Sequence, residues 1–99
     1  MPKFPKLTEP ELAAALLEVP SWSVKEGKLH REYKFPDFTH AFGFMAASAT
    51  VIEKLNHHPE WFNVWNQVRI DLTTHDSAGI TKRDFDVARE MERLAGKLL

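Results

Sequence analysis

Apolar and polar residues follow two different periods along this chain, and prolines mark where one gives way to the other. Thr8 precedes Glu9, Pro10 and Glu11, and then comes the run L-A-A-A-L-L. A hydroxyl N-cap, acid in the first turn and strong helix formers predict a short helix ending near Pro20. Trp22 and Val24 then alternate with Ser23 and Lys25. Glu26-Gly27 reads as a two-residue hairpin turn, and Leu29, Tyr33 and Phe35 carry the period of two onto the return strand. Pro36-Asp37 opens a long helix. Phe38, Phe42, Met45, Ala49 and Ile52 form one stripe along it, and Ala41, Phe44, Ser48, Val51 and Leu55 form a second beside it. Pro59 disfavours helical geometry at His58 and bounds the helix. Phe62 and Val64 alternate with Asn63 and Trp65, and Val68, Ile70 and Leu72 with Arg69, Asp71 and Thr73. That pattern predicts a second hairpin turning near Asn66-Gln67. Ser77-Ala78-Gly79 is a loop, Thr81 to Asp84 matches a capping box, and Val87, Met91, Leu94 and Leu98 stripe a last helix.

The predicted order is α-β-β-α-β-β-α. Hairpins imply antiparallel pairing, so the expected architecture is α+β: a four-stranded antiparallel sheet with three helices packed on one face. A length of 99 residues fits one domain spanning residues 1–99. The double stripe on the long helix is wider than one sheet needs, and the sheet edges are open; both features invite a second subunit.

Composition narrows the chemistry. Thirteen Lys and Arg face fourteen Asp and Glu, for a formal net charge of -1. No basic footprint for nucleic acid or anionic membrane is present. There is no cysteine, which removes disulfides, thiolate catalysis and cysteine zinc sites. The start, M-P-K-F-P-K, lacks a signal-peptide pattern, and the uncharged stretch from Ala41 to Ile52 is too short to span a bilayer. The expectation is a soluble, cytoplasmic protein.

Histidine is the side chain whose ordinary pKa suits proton exchange near neutrality. His30 alternates with apolar residues and is expected to face solvent; His40, in a first helical turn, has no evident partner. His57 and His58 end the long helix, and His75 follows a strand, so all three sit where scaffolds present functional groups. They could be an acid–base set, metal ligands or surface residues. Adjacent helical residues point about 100° apart, which makes it hard for one metal to accept both His57 and His58. Trp61 and Trp65 are expected to share a strand face, either as core or as a flat wall for a heteroaromatic ligand. Glu53, four residues before His57, could orient that ring. Asp84 is the cap partner of Thr81, a hydrogen-bond acceptor for a pocket histidine, or both if its two oxygens diverge.

These residues form a recognisable pattern. Glu53, three intervening residues and His57-His58-Pro59 are followed by Trp65, His75 and Asp84. The spacing, with the surrounding N-H-H-P-E-W-F-N-V-W-N, T-T-H-D-S-A-G-I-T-K-R-D and D-F-T-H-A-F-G-F-M, resembles the pterin-4a-carbinolamine dehydratase family over about residues 20–95. The resemblance implies the same α+β fold, assembled as a homodimer or homotetramer. It implies dehydration of a 4a-hydroxytetrahydropterin to quinonoid dihydropterin and water, with neither metal nor cofactor. A proton goes to the departing hydroxyl and another leaves a ring nitrogen. His57 and His75 are then the acid–base pair and His58 mainly orients substrate, all three counting as catalytic. Asn56, Thr73, Thr74 and Asp76 are implied to bind substrate, and Glu53, Pro59, Trp61, Trp65 and Asp84 to support the site. An aromatic amino acid hydroxylase is the implied metabolic neighbour, although molybdopterin metabolism would suit the same scaffold. Some family members also bind a transcription factor, a role for the long helix rather than the pocket. A charge on that helix face, Phe44→Glu, is expected to disturb such binding and spare the pocket.

Overall fold

The computed structural model describes residues 4–99, so part of the reading of the first six residues lies outside the described residues. The elements are α1 (Glu9–Leu16), β1 (Ser23–Lys25), β2 (Lys28–Lys34), α2 (Phe38–Leu55), β3 (Glu60–Val64), β4 (Gln67–Leu72), a short 3-10 turn (His75–Ser77) and α3 (Lys82–Ala95). The strands form one antiparallel sheet in the order β1-β2-β4-β3. The expected element order and antiparallel sheet are both present. Among the described residues no helix is long and apolar enough to cross a membrane.

Alternation decides which face of the sheet is covered. Leu29, Tyr33, Val68, Ile70 and Leu72 are all buried. They share one core with Ala41, Phe44 and Ile52 of α2 and with Phe85, Ala88 and Met91 of α3. The Phe44 ring lies 5.1 Å from those of both Tyr33 and Phe35. Such aromatic contacts add to the burial of area. The first hairpin turns at Glu26 (φ 53) and Gly27 (φ 76), the left-handed pair that matches strand twist.

The second hairpin turns one residue earlier than expected. Val64 pairs with Gln67, so Trp65 and Asn66 form the turn. The Asn63 side-chain amide donates to the carbonyls of Trp65 and Gln67, at 3.1 and 2.8 Å. Asn66 is buried; its side-chain amide donates to the Phe35 carbonyl at 2.9 Å, and its own carbonyl accepts from Phe35 N–H at 2.8 Å. Contacts to a residue thirty-one positions away set this turn, and they are invisible in local composition. Trp65 takes φ 50 and is 66% exposed, so it does not share a strand face with Trp61.

The two stripes of α2 do not divide cleanly into inside and outside. Ala41, Phe44 and Ser48 of the second are buried together with Ile52 of the first, whereas Phe38 and Phe42 of the first stand 48% and 56% exposed and Leu55 of the second 37%. Phe44 is therefore a core residue and the wrong probe of the outer face; Phe42 is the right one.

Two histidines depart from expectation. His40 does have a partner: its Nδ1 lies 2.6 Å from Oδ1 of Asp37, the N-cap of α2. His30 is on the outward face of the sheet yet only 7% exposed. Asp71 lies directly opposite in the β2–β4 register, with its Oδ1 2.8 Å from His30 Nδ1. Glu32 lies 2.8 Å from Nε2. Burial opposes charging this ring, but the hydrogen bonds to Asp71 and Glu32 outweigh it and raise its pKa above the ordinary 6.5.

Two outcomes follow from this packing. A folded-state pKa above the unfolded one stabilises fully below the unfolded value, and the benefit is lost as pH rises through the folded value. In urea unfolding, the stability advantage of wild type over His30→Gln is expected to be largest near about pH 6 and to decline toward about pH 8. An advantage constant over that range would contradict the ion pairing. Phe44→Glu is expected to cost about 4 kcal/mol or more and to unfold much of the population, while Phe42→Glu leaves the fold intact with a far smaller fall in melting temperature. Equal melting temperatures for the two variants would refute this division of the helix.

Candidate active site

The end of α2 separates the two adjacent histidines. Asn56 caps the helix at φ 50 and ψ 46, with its N–H bonded to the carbonyls of Glu53 and Ile52. Asparagine tolerates this left-handed conformation better than most side chains. The chain reverses there and Pro59 prevents the helix from resuming. His57 turns inward and is buried, while His58 turns outward.

His57 meets Asp84 across the gap between α2 and α3, with Nε2 2.5 Å from Oδ1. Asp84 is fully buried near the start of α3. Its other oxygen, Oδ2, accepts from Thr81 N–H at 2.8 Å and from the Thr74 hydroxyl at 3.0 Å. The carboxylate is thus cap partner and histidine acceptor at once, because its two oxygens diverge. An acceptor at Nε2 keeps the ring proton there and leaves Nδ1 as the second nitrogen of the imidazole. The expected role of Glu53 shifts by one residue. Its Oε1 lies 3.1 Å from His58 Nε2. The four-residue spacing that pointed to His57 holds only within a continuing helix, and α2 has already ended.

The two histidines line different clefts. His57 lies with Leu55, Asn56, Lys82 and Arg83 in one between α2 and α3. His58 lies with Thr50, Glu53, Pro59 and Trp61 in another, between α2 and β3. His75 lines neither. It starts the 3-10 turn beyond β4, with its side chain 79% exposed and Nε2 3.5 Å from Glu60 Oε2. Glu60 pairs with Asp71 in the sheet, so the ends of α2 and β4 and the starts of β3 and α3 meet at one end of the molecule. Among the described residues no three His, Asp or Glu side chains converge as a metal-ligand group.

The remaining expected site residues divide. Asn56 and Asp76 are exposed at this end, and Thr73 is half-buried. Thr74 is buried, with its hydroxyl in contact with Thr81 and Asp84. Trp61 walls the His58 cleft, whereas Trp65 occupies the opposite end of β3. Arg83 was not singled out from the sequence, yet it walls the His57 cleft. Its guanidinium donates to the carbonyls of Leu55 and Asn56, at 3.1 and 2.5 Å, and lies 4.9 Å from the Phe4 ring centre. A basic residue inside T-K-R-D, next to the capping aspartate, was the available signal.

Comparison with known proteins adds an independent line. Residues 5–94 match the family model described as pterin 4 alpha carbinolamine dehydratase. A Solibacter usitatus (strain Ellin6076) protein, named provisionally as a pterin-4-alpha-carbinolamine dehydratase, is 59% identical over 90 residues, covering 91% of this chain and 95% of the relative. A Rhodopseudomonas palustris (strain BisB18) protein with the same provisional name is 50% identical over 95 residues, covering 94% of each chain. A crystal structure described as a transcriptional coactivator/pterin dehydratase from Brucella melitensis superposes with a TM-score of 0.88. It has 46% identity and covers 92% of this chain and 99% of its own. With the family match spanning most of the sequence and the fold shared, this chain belongs to the pterin 4 alpha carbinolamine dehydratase family.

Proposed function

We propose that this protein removes water from a 4a-hydroxytetrahydropterin, the pterin-4a-carbinolamine, and releases quinonoid dihydropterin for tetrahydropterin recycling. The supporting observation is the buried His57–Asp84 couple at the end of the molecule that also presents His58 and His75. The reaction breaks the C4a–O bond. A proton must reach the departing hydroxyl, and another must leave the ring nitrogen beside C4a as the new double bond forms. Imidazole serves both steps near neutrality, since its ordinary pKa is about 6.5. In this reading His57 and His75 exchange the two protons and His58 orients the pterin, with Trp61 beside it as an apolar wall. Asp84 holds the His57 ring in one tautomer, which spares the transition state the cost of ordering it. The same reading makes the protein a cytoplasmic hydro-lyase that works beside an aromatic amino acid hydroxylase.

Oligomerisation belongs to the same proposal. The exposed Phe38 and Phe42 rings lie 5.7 Å apart on one face of α2, and β3 leaves Phe62 and Val64 exposed at a sheet edge. We read the edge as a dimer contact and the helix face as the contact that builds a tetramer. A second reading uses that helix face for a protein partner, and the coactivator description of the Brucella melitensis neighbour favours keeping it in view.

Joint replacement, His57→Ala with His75→Ala, is expected to slow enzymatic dehydration of a synthetic carbinolamine by about 10²-fold or more. An unchanged rate above the spontaneous one would sink the acid–base assignment. In sedimentation velocity, Phe42→Glu is expected to shift the protein to a smaller assembly while dehydration persists; an unaltered sedimentation coefficient would remove the helix face from the assembly.

A further inference from the structure

Each of the three histidines at this end of the molecule has its own carboxylate. His57 has Asp84 and His58 has Glu53, both members of the sequence pattern. His75 has Glu60, which is not part of that pattern. Glu60 is itself held: its Oε1 accepts from the Lys28 ammonium at 2.5 Å, while Oε2 faces His75. The two oxygens diverge, as those of Asp84 do.

We propose that Glu60, anchored by Lys28, is the positioning residue of His75. This inference rests on the reading that His75 exchanges a proton with the substrate. His75 begins a three-residue turn and is mostly exposed, so little packing restricts its ring. Ordering a free side chain costs conformational entropy, which a nearby acceptor offsets. At 3.5 Å this is a charge contact, longer than a hydrogen bond; it draws the Nε2 edge of the ring toward Glu60 and turns Nδ1 away from it, toward the reaction. The attraction strengthens when the ring is positive, which is its state after taking a proton or before giving one. Lys28 reaches over the end of β4 from the start of β2, so the first hairpin contributes to the site through this contact. The hydrogen bond with Glu60 raises the Lys28 pKa above its ordinary value of 10.5 despite the opposing cost of desolvation, so the ammonium stays charged across the working range. Asp71, opposite Glu60 in the register, is paired with His30 on the same face of the sheet.

The test compares dehydration kinetics of wild type, Glu60→Gln, Lys28→Met, His75→Ala and the double variant Glu60→Gln/His75→Ala. Because the pair is exposed, Glu60→Gln is expected to lower kcat about two- to five-fold with KM unchanged. Lys28→Met is expected to lose less. The Glu60→Gln loss is expected to shrink at about 0.5 M salt, and to vanish in the His75→Ala background. Matching melting temperatures establish that the variants fold. Glu60→Gln as fast as wild type, with His75→Ala impaired, overturns the inference alone. So does an equal Glu60→Gln loss in both backgrounds, which would mark Glu60 as acting elsewhere. His75→Ala as fast as wild type overturns the acid–base reading first, and this inference with it.

Discussion

The buried carboxylate of Asp84 ties together segments far apart in the chain. It closes the capping box that starts α3, accepts from Thr74 beyond β4, and meets His57 beyond α2. A fully buried carboxylate is costly unless its oxygens are satisfied, and here each has at least one donor. That requirement couples fold to site. A side chain that only capped the helix would leave His57 without its acceptor. One that only met His57 would leave the buried Thr81 N–H and the Thr74 hydroxyl without this acceptor.

The same device recurs with decreasing burial around the other histidines. Glu53 and His58 are mostly exposed, as is His75 beside its half-exposed Glu60. Charges in such settings are screened, so orientation there is weaker and salt-sensitive, whereas the His57–Asp84 contact is shielded from solvent. The arrangement grades from one rigid imidazole to two adaptable ones.

The outer face of the sheet has an order of its own. His30, Asp71 and Glu60 occupy one row across β2, β4 and β3, and Glu32, Arg69 and Phe62 occupy the next, where the Arg69 guanidinium lies 4.9 Å from the Phe62 ring centre. Among the described residues no helix covers this face, so cross-strand pairs stabilise it instead. One end of the first row leads to His75, which links the polar surface of the sheet to the candidate site.

Local chemistry in the sequence determined the elements. Thr8 and Thr81 predict their caps, Glu26-Gly27 its turn, and the period of two in Val68, Ile70 and Leu72 a half-buried strand, because each depends on neighbours a few residues away. The spacing of Glu53, His57, His58, His75 and Asp84 likewise pointed to one family. Tertiary structure decided what those residues touch. Asn66 took the turn through Phe35, Asp71 covered His30, and Glu53 went to His58 once the left-handed Asn56 had reversed the chain. Phe44 and Phe42 look alike in periodicity, and only the packed sheet separates core from surface. Pairings of this kind depend on strand register and helix ends, which are set by contacts many residues apart and leave no mark in the local pattern.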